Sequence, residues 1–302
     1  MYGVPQNIID ENTFIFIGQG PDGSATSVQQ PPIPFMVPRD CVMMNIICIG
    51  AGSSGGGPTQ GGSGVNRPGG VGGGSGAITV TNYPISALPD VIFINLAIGG
   101  NRANPAVTAG SAGVGVTSVS LVNDVTSTAS VIGYALSGST SGTAASASSQ
   151  GNFGAMIITE ASFYSGTAGT ATNAVASPLE NASLYPIGGG GGGGTAGVGT
   201  NFPGSRAGYN VATPSSRYYI PMNGGTAGGA AGTNDGYQAQ WMLSPLTLPG
   251  GSGGGGSNLQ GGGNGGKGAP GAGGGGGGGG AVVAGQGISG RGGDGMVIIT
   301  CW

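Results

Sequence analysis

The sequence predicts an all-β protein with essentially no α-helix, a β-sandwich or barrel flanked by packed polyglycine II helices. Three observations carry this expectation. Glycine supplies 74 of 302 residues, and each glycine inside a helix costs about 1 kcal/mol relative to alanine. No stretch of helix length is both free of breakers and striped with apolar residues at helical spacing. Short β-branched runs recur along the chain, and long glycine tracts connect them.

So much glycine, with 19 prolines, is also the composition of a low-complexity polymer. Against that, 37% of residues are hydrophobic and gathered into runs, and a net charge of -3 does not hold the chain open. Cys41, Cys48 and Cys301 form no CxxC pair and are odd in number, so neither a disulfide framework nor a zinc site is expected, only reduced structural thiols. The start, Met-Tyr-Gly-Val-Pro, lacks the basic and apolar regions of a signal peptide. No apolar run is long enough to span a bilayer, so membrane insertion is not expected. The seven Lys and Arg residues stand singly and form no basic stripe, which argues against a nucleic-acid partner.

Residues 1–33 read as an N-terminal arm or attachment segment, with one strand at Thr13–Ile17 before GQGPDGS and the Pro-rich QQPPIP. Residues 34–100 and 250–302 read as a glycine-rich β domain. Its strands are expected at Phe35–Pro38, Val42–Ile49, Ala77–Thr81, Val91–Ile98, Ala281–Ala284 and Met296–Thr300. The nearly continuous apolar run Val42–Ile49 is that of a strand buried on both faces or in a sandwich core. Residues 101–249 form an Ala/Ser/Thr-rich β insertion with strands expected at Val114–Val122, Ser130–Leu136 and Phe153–Thr159, a second lobe or distal loops. The insertion ends in aromatic loops carrying Phe202, Tyr209, Tyr218, Tyr219, Tyr237 and Trp241.

The glycine tracts need their own account. Ordering a residue costs roughly 1–2 kcal/mol, and glycine loses the most freedom. A run such as Gly188–Gly194 or Gly273–Gly280 has only backbone hydrogen bonds and close packing to set against that. Extended threefold helices lying side by side supply both, provided no Cβ blocks the approach, which is the steric reason for glycine at the collagen axis. Glycine falls at every third position from Gly262 to Gly280, which gives this period local support.

Chemical motifs are sparse. Gly50, Gly52 and Gly55 follow a strand in the order G-x-G-x-x-G. The dinucleotide site needs a helix to begin there, and GGPTQGGSGVNRPGG cannot supply one. The chain has no histidine, which removes the Ser-His-Asp and Cys-His arrangements. A carboxylate pair such as Glu160 with Glu180 is the remaining hydrolytic arrangement; most carboxylates sit beside Gly, Pro or Asn, as turn residues do. No catalytic residue, metal ligand or cofactor is assigned. The six aromatics are the candidate contact residues, for a sugar or protein partner if exposed and for core or subunit interface if buried.

Three stretches carry a family resemblance: PFMVPRDCVMMNIICIGAGSSGGG (34–57), LPDVIFINLAIGG (88–100) and GRGGDGMVIITCW (290–302). They resemble the glycine-rich domain of bacteriophage tail-fibre and virion structural proteins. In that pattern a Val-Pro strand leads into an apolar strand and a glycine tract, and Gly-Asp-Gly precedes the last strand. A looser likeness is to the polyglycine-helix adhesins at the tips of phage tail fibres. The likeness covers 34–100 and 250–302 and leaves 101–249 uncovered. It implies a non-enzymatic virion protein, made in the host cytoplasm and placed in a tail fibre or appendage. A capsid-decorating head protein and a host-receptor adhesin are the alternatives. A homo-oligomer, with a trimer favoured, is expected, together with other virion proteins bound through residues 1–33 and a host-surface glycan or protein.

Overall fold

The computed structural model describes residues 12–20, 29–58, 67–102, 109–123, 130–139, 160–164, 195–196, 200–204, 235–240, 242–243, 246–257, 261–280 and 285–302. Among them the chain is all-β, with one short 3-10 turn at Ile85–Ala87. In chain order the strands are β1 (Thr13–Ile17), β2 (Ile33–Met36), β3 (Met43–Ile49), β4 (Ile78–Pro84), β5 (Val91–Asn95), β6 (Val116–Ser120) and β7 (Val131–Leu136). Then follow β8 (Glu160–Tyr164), four two-residue strands β9 (Thr195–Ala196), β10 (Thr200–Asn201), β11 (Met242–Leu243) and β12 (Leu246–Thr247), and finally β13 (Met296–Cys301).

Two antiparallel sheets form a sandwich. The first has the order β1-β13-β3-β4-β8 and the second β2-β5-β6-β7. The apolar alternation sets the register. In β3, Met44, Ile46 and Cys48 face the second sheet, where they join Ile92, Ile94, Val119, Ile132, Val297 and Ile299 in one buried cluster. The other face of the first sheet buries Ile49, Ile78, Met296 and Ile298 under Leu248, Ala269 and Ala272. The first sheet is therefore covered on both sides, which is why Val42–Ile49 reads as an almost unbroken apolar run. Gly133 is a packing necessity within the sandwich, because a Cβ there would fall 2.8 Å from the Cys48 sulfur.

Two placements differ from the sequence reading. Strand β1 lies within the 1–33 arm, yet it pairs with β13 throughout, with Ile15 and Phe16 buried. Its alternating apolar residues feed both clusters, so this part of the arm is sandwich edge. Strands β6, β7 and β8 lie within the 101–249 insertion but complete the two sheets. The predicted strands at Phe153–Thr159 and Ala281–Ala284 and the Gly188–Gly194 run fall outside the described residues.

At one end of the sandwich the strands run directly into glycine. Strand β3 passes from Ile49 into Gly50, while β4 and β13 emerge from Ala77 and Gly295 in the same plane, since Ile49 is registered with both Ile78 and Met296. Within a sandwich, sheets stand about 10 Å apart and bond only within each layer. Here the rule changes: Gly295 N–H donates to Ala97 O at 2.9 Å and Ala77 N–H to Leu136 O at 3.0 Å, from one layer to the other. With no side chains between them the layers close until backbone meets backbone.

Beyond that plane the hydrogen bonds recur every third residue. Gly70, Gly73 and Gly76 donate to Gly277, Gly274 and Gly271, an antiparallel pair of segments. Gly251, Gly254 and Ser257 donate to Gly273, Gly276 and Gly279, a parallel pair. Gly287, Gly290 and Gly293 donate to Gly278, Gly275 and Ala272. A β-ladder repeats every second residue, because successive groups point to opposite sides; a period of three sends them in three directions. Segment 50–57 shows the outcome. It donates to Gly74, Val71, Gly293, Gly290 and Ser111, and accepts from Gly138, Gly100, Gly274 and Gly277. It is bonded on every side.

Absence of Cβ, rather than backbone freedom, explains the glycines. Among the described residues only Gly115 and Gly271 have positive φ, at 77° and 75°. A Cβ on Gly52 would sit 2.0 Å from Ala272 O, and one on Gly275 2.0 Å from Ser252 O.

Candidate functional site

The lattice carries its charge inside. Arg291 is fully buried, and its guanidinium grips Asp294 with both terminal nitrogens, Nη1 to Oδ2 at 3.1 Å and Nη2 to Oδ1. Asp294 Oδ1 also accepts Gly99 N–H at 2.9 Å. A Cβ on Gly20 would strike the guanidinium, so the arm after β1 is seated against the same pair. Three distant stretches of chain thus meet at one ion pair. Its role is structural. A second buried arginine, Arg67, donates to Gly280 O at 2.5 Å.

Next to this pair lies a surface cleft of about 370 Å³. Ile17 and Gln19 line it from the arm, Gln238 and Ala239 from the 235–240 segment, and Lys267 and Ala269 from the lattice. The positions of these groups are set by backbone. Gly236 N–H donates to Asn264 O and Ala239 N–H to Lys267 O, again three residues apart. Tyr237 donates its N–H to Ser252 Oγ at 2.6 Å, and its carbonyl accepts Ser252 N–H at 3.2 Å. The ring stands 60% exposed on that anchored backbone.

Of the six aromatics singled out from the sequence, two are described. Tyr237 is exposed beside the cleft; Phe202 is half-buried and its carbonyl accepts Gly256 N–H. Tyr209, Tyr218, Tyr219 and Trp241 lie outside the described residues. Gln19, Gln238 and Lys267 were not legible as a group, because residues this far apart share no spacing. The only hint was local: Lys267 is the one charged residue in the Gly262–Gly280 tract. The G-x-G-x-x-G glycines lie in the lattice, where Gly52 and Gly55 donate to Gly293 and Gly290.

The cysteines behave as buried apolar groups. Cys48 and Cys301 are buried, Cys41 is half-buried, and all three are free thiols. Burial pushes Cys48 from 9.0 up to about 12. Burial, with Cys41 and Asp40 adding, does the same for Cys301. Tyr83, whose hydroxyl donates to Ile132 O, rises from 10.0 to about 12, again chiefly by burial. Each group holds its proton more tightly folded than unfolded. Their contribution is therefore intact below about pH 9 and is lost as pH rises toward 12. Denaturant melts across that window should show the midpoint falling with pH. A disulfide-exchange reagent at pH 8 should titrate Cys41 fast in the native chain and all three thiols only after unfolding; rapid reaction of Cys48 in the folded protein would contradict the burial argument.

Among the described residues no group of His, Cys, Asp and Glu is placed to hold a metal ion, and no helix is long and apolar enough to cross a membrane. No family model and no curated protein matches the chain.

Proposed function

We propose that this chain is a non-enzymatic structural protein of a bacteriophage particle, a tail-fibre or appendage subunit that assembles as a homo-oligomer, with a trimer favoured. We further propose that its glycine tracts are polyglycine II helices, the conformation in which a three-residue repeat presents main-chain groups in several directions. The observation that carries the reading is the bonding of segment 50–57 to stretches of chain on every side. Such a lattice joins both sheets of the sandwich to one cross-linked block, which suits a part that transmits force or holds a shape. The resemblance of residues 34–57, 88–100 and 290–302 to the glycine-rich domain of virion proteins supports the same reading.

Host-surface contact is the second reading, and one observation favours it: Tyr237 presents an exposed ring on a backbone tied to Ser252. Rigid aromatic groups give large contact area for little entropy. The test of the main reading is compositional. Particles purified from a producing culture should contain the chain, and antibodies raised against it should label a fibre or appendage by electron microscopy. Particles free of the chain would overturn the proposal, and labelling of the capsid would move it to the head.

A further inference from the structure

We infer that the cleft formed by Gln19, Gln238 and Lys267 beside the exposed Tyr237 is a binding site for a neutral saccharide, about the size of one or two sugar rings. A volume of about 370 Å³ is enough for a small ligand and too little for a peptide segment of any length. Gln19 and Gln238 are both exposed, and each side-chain amide offers donors and an acceptor together, the pairing that adjacent sugar hydroxyls require. Ala239, Ala269 and Pro270 provide an apolar floor for ring C–H groups.

Other ligand classes fit less well. A phosphate or sulfate would meet a single cationic residue, Lys267, because Arg291 is fully buried and held by Asp294. A purely apolar ligand would leave the two amides without partners, at a cost of about 1–3 kcal/mol for each stranded polar group. Tyr237 precedes Gln238 directly, and the bonds of its main chain to Ser252 fix the backbone that carries Gln238. Pre-organisation matters here, because a shallow polar cleft gains little from burial and must lose little on ordering.

This inference rests on the host-contact reading above, and the experiment separates the two. The full chain is mixed with the methyl glycosides of glucose, galactose, mannose and N-acetylglucosamine, and saturation transfer from protein to each sugar is measured. At least one glycoside should receive saturation. Gln238→Ala should weaken its binding about tenfold, and Gln19→Trp should abolish it by filling the cleft. These side chains lie outside the hydrogen-bonded lattice, so an unchanged melting temperature verifies that the variants are folded. Absence of transfer to all four sugars, or equal binding by wild type and Gln238→Ala, overturns the site. A chain present in particles that binds no glycoside leaves the virion reading standing and sinks this one. A chain that binds a glycoside and is missing from particles does the reverse.

Discussion

Replacing Gly52 or Gly275 by alanine should destabilise the chain by about 3 kcal/mol or more, and combining the two should prevent folding. Two effects oppose each other in such a change. Alanine restricts the unfolded chain and would favour folding by about 0.4–1 kcal/mol. The added methyl, however, lands 2.0 Å from a carbonyl oxygen at either site. The obstacle is backbone and not the tip of a flexible side chain, so relief requires moving a whole neighbouring segment. Overpacking alone typically costs about 1–3 kcal/mol, and moving the segment also stretches the bonds that Gly274 and Gly277 donate to Ser53 and Gly56. The clash wins. Because domains are stable by only about 5–15 kcal/mol, two such changes remove most of the margin. Urea melts of both single variants measure the effect, with Met36→Ala, whose side chain is exposed, as the control; a Gly275→Ala variant as stable as wild type would mean the lattice is not close-packed.

The second large effect belongs to the buried ion pair. Asp294→Ala removes the counter-charge from a fully buried guanidinium and the acceptor from Gly99 N–H. Breaking a buried pair by removing one partner costs about 3–5 kcal/mol, chiefly because the other charge is stranded. Arg291→Met strands the carboxylate instead, although Asp294 keeps slight access to solvent at 7% exposure. The arginine change should therefore be the milder. Combined, the two substitutions leave no stranded charge, so the double variant should be more stable than the Asp294→Ala single. The four proteins form a double-mutant cycle in urea, and simple additivity would show that the pair is not coupled.

Much of the sandwich was legible because its signals are local. The TFIFI and MVIIT runs mark β1 and β13 nearly to the residue, and Ser130–Leu136 marks β7 to within one. The Val91–Ile98 run was longer than its strand. Strand β5 ends at Asn95, and Leu96 to Ile98 lead into the lattice, where Ile98 bridges Val114. Apolarity cannot distinguish these cases, since both environments are buried. The four two-residue strands carry no pattern long enough to read. Which sheet a strand joins was also hidden: β6 pairs with β5 across a change of composition and β7 pairs with β6, and composition says nothing about pairing. The period of three in Gly262–Gly280 was visible, and the hydrogen bonds follow it. The cleft was invisible because Gln19, Gln238 and Lys267 come together only through the fold, whereas Tyr237 stood out by its aromatic character alone.

The passage from sandwich to glycine has a thermal consequence. Melting the sandwich wets isoleucine, valine and phenylalanine, which raises the heat capacity, whereas melting segment 50–57 wets mainly peptide groups, which lowers it. The two halves of this body therefore oppose one another in heat capacity. The chain's stability should vary less with temperature than that of an oil-cored domain of equal length.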